Sequence, residues 1–275
     1  MRKSYQVLLS IFFILTPLYL GFLFWSSTRD HFTPTPYEYL EVNEPDVLGE
    51  NTEPTVKIPV LMYHNIAPVP RTGSVNYRGL FVSPAMFEKQ MKYLKENGYK
   101  TLTPQEFYDI LKSGKNPHKK SVLITFDDGS RGQYRYAYPV LKKYKMTATF
   151  YIIADRSPIK KSELKEMVKD GMIVDSHTST HRDLKKLQGT KNFKFQLVDS
   201  KEKLEKTTGQ EIVSIAYPGC VADKRSFDII KKNGYLLGFS CGRTIMHRYS
   251  RRFYLSRVHV YSDMERFKKA LTKGL

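Results

Sequence analysis

The chain has 275 residues, 41% hydrophobic and 26% charged, with a formal net charge of +18. That length allows one large domain plus an appendage, and the apolar share is enough for a real core, which excludes global disorder. The charge is uneven: up to Lys57 four Lys or Arg stand against seven Asp or Glu, a net of −3, which leaves +21 on the remainder. A domain this basic is drawn to polyanions. Its lysines are scattered and accompany no nucleic-acid reader motif, so anionic cell-wall polymers or lipid headgroups fit the charge better than nucleic acid.

At the start, Met1-Arg2-Lys3-Ser4 is basic and Val7 to Trp25 is almost wholly apolar. As a helix this run is long enough to cross roughly 30 Å of hydrocarbon. Residues 1–28 therefore read as a membrane anchor, with Arg2 and Lys3 on the cytoplasmic side and the rest of the chain outside. Trp25-Ser26-Ser27-Thr28-Arg29 is a poor cleavage site, which favours a retained anchor over a removed signal peptide. Residues 29–57 hold Pro34, Pro36, Pro45 and Pro54 among acidic and polar residues and read as an extended linker. A third region, 58–275, carries the periodic patterns of a folded domain.

Within it, Ile58 to Tyr63 reads as a strand. Ser83-Pro84 and Thr103-Pro104 each read as a helix start, with the hydroxyl residue as cap and proline in the first turn. These helices stop at Asn97-Gly98 and at Gly114. Val122 to Phe126 is a doubly buried strand, followed by a helix over 134–145. Strands at 147–153, 173–176, 213–217 and 235–240 then alternate with helices at 162–169, 193–207 and 224–233. A strand at 257–261 and a helix at 264–271 close the chain. Repeated β-then-α units imply a parallel sheet with helices outside it. Periodicity alone does not separate an open sheet from a barrel. Cys220 and Cys241 each end a late strand, and outside the cell they are candidates for a disulfide.

Two stretches carry chemistry. Thr125-Phe126-Asp127-Asp128-Gly129 puts adjacent carboxylates and a turn-making glycine at the end of the central strand. Like charges side by side call for a cation or strong hydrogen bonds. His177-Thr178-Ser179-Thr180-His181 ends the strand 173–176 with two imidazoles four apart, on one side of a helical or tight-turn backbone. Two histidines and one carboxylate with open coordination positions form a catalytic type of divalent-metal site. The second aspartate is left to act as a base. Zinc, cobalt and nickel all suit that ligand set, with zinc the first choice.

These two stretches together resemble the first motifs of the polysaccharide deacetylases, carbohydrate esterase family 4, also called the NodB-homology family. Pro59-Val60-Leu61-Met62-Tyr63-His64, Ala216-Tyr217-Pro218-Gly219 and Leu255-Ser256-Arg257-Val258-His259-Val260 look like the branch that de-N-acetylates poly-β-1,6-N-acetylglucosamine. The resemblance spans residues 58 to 275 and implies an α/β fold, a distorted (β/α)7 barrel. By resemblance Asp128, His177 and His181 hold one divalent metal ion, and Asp127 is the general base. A backbone N–H in Tyr217-Pro218-Gly219 would help hold the oxyanion, and Thr178 would fix the histidine loop through its hydroxyl. The proton for the leaving amine would come from His259 or from His64. His259 departs from the family's Leu-x-x-His pattern by one residue.

The family's Arg-x-Pro-Tyr-Gly motif, whose arginine steadies the base, has Ala216 in the arginine's place. That loss is shared by the glucosamine-polymer branch, and it leaves open what orients Asp127. Asp175 reads as a polar strand-end residue, with a place behind a ligating imidazole as the alternative. Tyr63, Tyr217 and Tyr249 are candidate faces for sugar rings, and His31, His118 and His247 read as solvent or loop histidines. The implied function is N-deacetylation of an extracellular N-acetylglucosamine polymer of the biofilm matrix, by an enzyme held at the cell membrane. A peptidoglycan or chitin-oligosaccharide deacetylase is the alternative enzyme. A non-catalytic wall-binding protein on the same scaffold is the alternative of another class.

Overall fold

A computed structural model of the chain describes residues 53–275. The expected membrane anchor, 1–28, and most of the linker lie outside the described residues. Among those described, no helix is long and apolar enough to cross a membrane.

The strands in chain order are β1 (Val56–Lys57), β2 (Val60–Tyr63), β3 (Asn65–Ile66), β4 (Phe81–Val82), β5 (Lys100–Thr101) and β6 (Ser121–Phe126). They continue with β7 (Thr149–Ile152), β8 (Ile173–Ser176), β9 (Ser214–Ala216), β10 (Leu237–Phe239), β11 (Met246–His247) and β12 (Val258–His259). The main sheet runs β10-β9-β8-β7-β6-β2-β12, with β5 added beside β6, and every pairing in it is parallel. The sheet curls until its two outer strands approach each other. Two isolated bridges, Phe239 to Leu255 and Gly242 to Val258, lace that seam. Between β10 and β12 the connection holds only β11 and a 3₁₀ turn, Tyr249–Arg251, so the α-helix of a regular β/α unit is missing there. The expected barrel is thus a curled parallel sheet joined at one loosely stitched seam.

Local sequence explains the elements. Ser83 and Thr103 accept hydrogen bonds from Met86 N and Glu106 N and cap the helices Pro84–Glu96 and Pro104–Ser113. Glu106 returns the favour to the Thr103 N–H, completing a capping box, and Gly114 ends the helix in the left-handed conformation. All six residues of β6 are buried. Its Val122, Ile124 and Phe126 pack with the helices outside the sheet, whereas Leu123 packs inside with Val60, Tyr151, Ala216 and Phe239. The side-chain period of two therefore puts Leu123, Thr125 and Asp127 on the inner face. Apolar residues fill the inside at the N-terminal end of the strands, and the polar ones line the end where the strands stop.

The boundary at Lys57 needs correcting. Val56 and Lys57, read as linker, form β1 and pair antiparallel with Met246 and His247. Thr55 Oγ1 and Glu53 Oε1 accept hydrogen bonds from Arg248 Nε and Ser250 N. His247 is no loop histidine. It is buried, its Nε2 lies 3.0 Å from Ile58 O, and its ring stands nearly perpendicular to that of Phe107. Tyr63 and Tyr217 are buried as well, so neither offers a face to a sugar; Tyr249 is half-buried with its hydroxyl on that of Tyr108. Cys220 and Cys241 are joined as a disulfide, with Cα atoms 5.2 Å apart.

Candidate metal and acid–base site

The site stands where β2, β6 and β8 stop, beside β12. Asp127 is the first residue after β6, and its N–H still donates to Tyr63 O, 2.9 Å away, as the last bond of the ladder. The chain then turns abruptly, because Asp128 takes a left-handed conformation with φ of 77°. His177 leaves β8 in a regular way, with its N–H on Ile152 O, but Thr178 and His181 are left-handed too, with φ of 66° and 59°. Among the described residues five non-glycine positions have positive φ, and three of them are in this site. Each costs of order 1–3 kcal/mol, and such conformations persist where the surroundings over-determine them. The two histidines therefore meet through a strained turn rather than a helix. Thr178 holds that turn: its Oγ1 accepts from His181 N at 3.0 Å, and its N–H donates to Ser176 Oγ.

This turn brings together one atom each from Asp128, His177 and His181, all within 4.8 Å of one another. Asp128 Oδ1 lies 3.4 Å from Nε2 of both imidazoles. His177 Nδ1 is 2.8 Å from Ala216 O, which makes Nδ1 the protonated nitrogen and turns the Nε2 lone pair toward Asp128. Asp128 Oδ1 is shielded from solvent and receives no hydrogen bond, an expensive state for a carboxylate oxygen unless a cation takes the donor's place. The donor set, one carboxylate oxygen and two imidazole nitrogens, fits a divalent ion such as zinc, cobalt or nickel.

The titration behaviour agrees. Burial raises the Asp128 carboxyl, but the imidazole of His177, with those of His64 and His181 beside it, holds it far below the usual range. Burial lowers His177, yet the charges of Asp127 and Asp128 more than offset this, leaving it raised. Burial and the neighbouring His177 push His181 down to about 4. Binding of a metal to Asp128, His177 and His181 would displace the protons these groups carry.

Asp127 lies outside that cluster of three. The residue that holds it is Arg257, one step before β12, which the sequence reading did not single out. Its Nη1 and Nη2 donate to Asp127 Oδ1 and Oδ2 at 2.6 and 2.7 Å, a bidentate pair with both partners buried. Nη1 also reaches Thr125 Oγ1, Nε donates to Ser240 O, and the guanidinium sits over the ring of Tyr151. Arg257 thereby fills the place left empty by Ala216. The sequence carries only a partial signal: Arg257 adjoins Val258 and Val260, and an arginine buried beside such residues is almost always paired, but the stretch does not name its partner. Burial raises the Asp127 carboxyl, but Arg257 and His177 outweigh it and keep it ionised below the usual carboxylate range.

The two candidate acids lie together, with ring centroids 5.7 Å apart. His64, directly after β2, places Nε2 3.9 Å from Asp127 Oδ2. His259 points elsewhere: its Nε2 meets Gly79 O at 2.9 Å and its ring packs against Tyr261. Burial lowers His64 against the pull of Asp127, and burial with His64 pushes His259 down to about 4.

The segment Tyr217-Pro218-Gly219 lies beside His177 through the Ala216 carbonyl. The Tyr217 N–H is spent on Phe239 O and its hydroxyl on Phe253 O, and Pro218 has no N–H, so Tyr217 and Pro218 supply no oxyanion donor. Asp175 does not touch an imidazole either. It accepts from Val213 N, Ser214 N and Ser214 Oγ and stitches β8 to the start of β9.

A strand-end carboxylate and two imidazoles arranged to hold an ion, beside a second carboxylate kept clear of them, define a hydrolase site on a curled α/β sheet. The sequence profile of the polysaccharide deacetylases matches residues 114–238. Bacillus subtilis YxkH, itself named only provisionally as a polysaccharide deacetylase, is 35% identical over 217 residues, 78% of this chain and 75% of YxkH. The poly-β-1,6-N-acetyl-D-glucosamine N-deacetylase of Staphylococcus aureus is 34% identical over 209 residues, 70% of this chain and 72% of that enzyme. Among solved structures, the Streptococcus pyogenes deacetylase PplD in complex with acetate superimposes with a TM-score of 0.72 at 30% identity, covering 78% of this chain and 98% of PplD. The Bacillus cereus polysaccharide deacetylase BC0361 gives 0.70 at 36% identity, covering 79% of this chain and 70% of that one. This chain belongs to the polysaccharide deacetylase family, carbohydrate esterase family 4, and is a hydrolytic N-deacetylase with the NodB-type fold.

Proposed function

We propose that the protein is a metal-dependent N-deacetylase of extracellular poly-β-1,6-N-acetylglucosamine, held at the outer face of the cell membrane by residues 1–28. The observation that carries this reading is the pairing of the Asp128, His177 and His181 cluster with an unligated, ionised Asp127, in a chain 34% identical to an enzyme named for that polymer. A divalent ion in the cluster would supply Lewis acidity at the acetamide carbonyl and acidify a water. The residues of the chain do the rest. Asp127, aimed and kept ionised by Arg257, takes the proton of the attacking water. His64, whose Nε2 faces the carboxylate, is placed to deliver a proton to the departing amine, whereas His259 is turned toward Gly79. The products are acetate and a free amine, which becomes cationic near neutral pH. Together with the net charge of +21 on residues 58–275, this fits work against anionic wall polymers in a biofilm matrix.

The test is acetate release by the full-length protein from defined β-1,6 and β-1,4 N-acetylglucosamine oligomers. The expected result is preferential release from the β-1,6 series, abolished by a chelator and restored by zinc, cobalt or nickel. Preference for β-1,4 oligomers would move the substrate to peptidoglycan or chitin-like chains. Release indifferent to chelation would end the metal reading.

A further inference from the structure

The β2–β6 ladder ends at the pair Tyr63 and Phe126. His64 and Asp127, one residue further along each strand, belong to segments that part company: one runs into β3 and the other into the left-handed turn at Asp128. In the gap stands Gln133. It is completely buried, and its Nε2 donates both protons, one to His64 O at 2.8 Å and one to Asp127 O. A side-chain amide thus continues the ladder where the backbone no longer does.

Three features show that the chain is shaped for this contact. Gln133 opens a π-helical turn, Gln133–Ala137, that precedes the helix Tyr138–Tyr144, and such turns are frequent at functional sites. Gly132 sits so close to β3 that a Cβ there would be 2.1 Å from Ile66 O, which lets the turn reach the strand ends. Gln133 Oε1 is buried and accepts no hydrogen bond, a cost of about 1–3 kcal/mol that a methionine or leucine of similar size would avoid. The amide is retained for what its two N–H groups hold.

We infer that Gln133 is a positioning residue of the hydrolytic reaction. It clamps the backbone carbonyls of His64 and Asp127 and so sets the spacing between the proton-accepting carboxylate and the proton-delivering imidazole, now 3.9 Å from Nε2 to Oδ2. The inference rests on the reading of Asp127 and His64 given under the proposed function. It concerns only the acid–base half of the site, since Gln133 makes no hydrogen bond to Asp128, His177 or His181 side chains.

The test compares the wild-type protein with Gln133→Met, which keeps the volume and loses both donors, and with Gln133→Glu, which keeps the shape. Both variants should lose kcat by roughly 10–100-fold, with KM changed less than about twofold and bound zinc unchanged by direct metal analysis. The limb of the kcat pH profile set by the acid–base pair should move. Unaltered kcat and pH profile in a variant that merely melts earlier would make Gln133 a packing residue and overturn the inference. Loss of activity in step with loss of zinc would overturn it too. An inactive wild-type protein would count against the site reading itself, whereas an active wild type with active variants would count only against Gln133. Should neither variant fold, a crystal structure of the wild type decides. Nε2 beyond about 3.5 Å of either carbonyl removes the clamp, and both bonds within that distance sustain it.

Discussion

The half of the site proposed to hold a metal and the half proposed for acid–base work are built in opposite ways. Asp128, His177 and His181 come from two short stretches, and their geometry is made locally by left-handed turns and the Thr178 hydroxyl. Asp127 is held by Arg257, 130 residues along the chain, and faces His64 from a third strand. A local site announces itself as a motif. A site assembled across the sheet announces only its parts. The difference also sorts the energetics: removing an ion from the first half exposes ligands that protons can balance, whereas removing a partner from the second half strands a buried charge.

The sharpest way to break the comparison is Arg257→Met. Leaving Asp127 buried and unpaired should cost about 3–5 kcal/mol in urea unfolding and nearly all acetate release. Adding Asp127→Asn should recover most of the stability and none of the activity. If the single variant is as stable as wild type, the pair does not have the role given to it here.

Next in size is the disulfide, which ties the two halves together. Cys220 follows the segment whose Ala216 carbonyl fixes His177, and Cys241 follows Ser240, whose carbonyl receives Arg257 Nε. Replacing both cysteines by serine should lower stability by about 3 kcal/mol, the value expected for a closed loop of this size. Unchanged unfolding in reductant would show the bridge to be dispensable.

The smallest effect belongs to a residue outside both halves. Burial pushes His247 down to about 4, below its unfolded value near 6.5. Between those values the unfolded chain binds the extra proton, so stability is complete above pH 6.5 and is lost as pH falls toward 4. His247→Gln should remove about 2 kcal/mol of the wild-type loss between pH 7 and pH 5, measured by denaturant titration at each pH. Parallel curves for the two proteins would contradict the buried, neutral imidazole.

How much was legible follows the same division. The capped helices at Ser83 and Thr103, the central strand and the β/α alternation were readable because hydroxyl caps, proline, glycine and β-branched runs act over a few residues. The cluster of Asp128, His177 and His181 was readable for the same reason. Arg257 was not, because nothing in Leu255 to Val260 says which strand it will face. His247 was misplaced because its partner, Ile58 O, is 189 residues away. β1 was taken for linker because two residues give no period to read. Within Tyr217-Pro218-Gly219, hydrogen-bond bookkeeping that only a fold supplies removes Tyr217 and Pro218 as oxyanion donors.

β12 pairs with β2, so among the described residues the earliest and latest strands of the main sheet lie side by side. A nascent chain that has not yet delivered Arg257 has the buried carboxylate of Asp127 with no guanidinium to meet it. On the roles proposed above, hydrolytic competence therefore waits for a residue made 130 positions after the carboxylate it holds. A chain cut before residue 257 would lose the guanidinium that holds Asp127 at once rather than fade gradually.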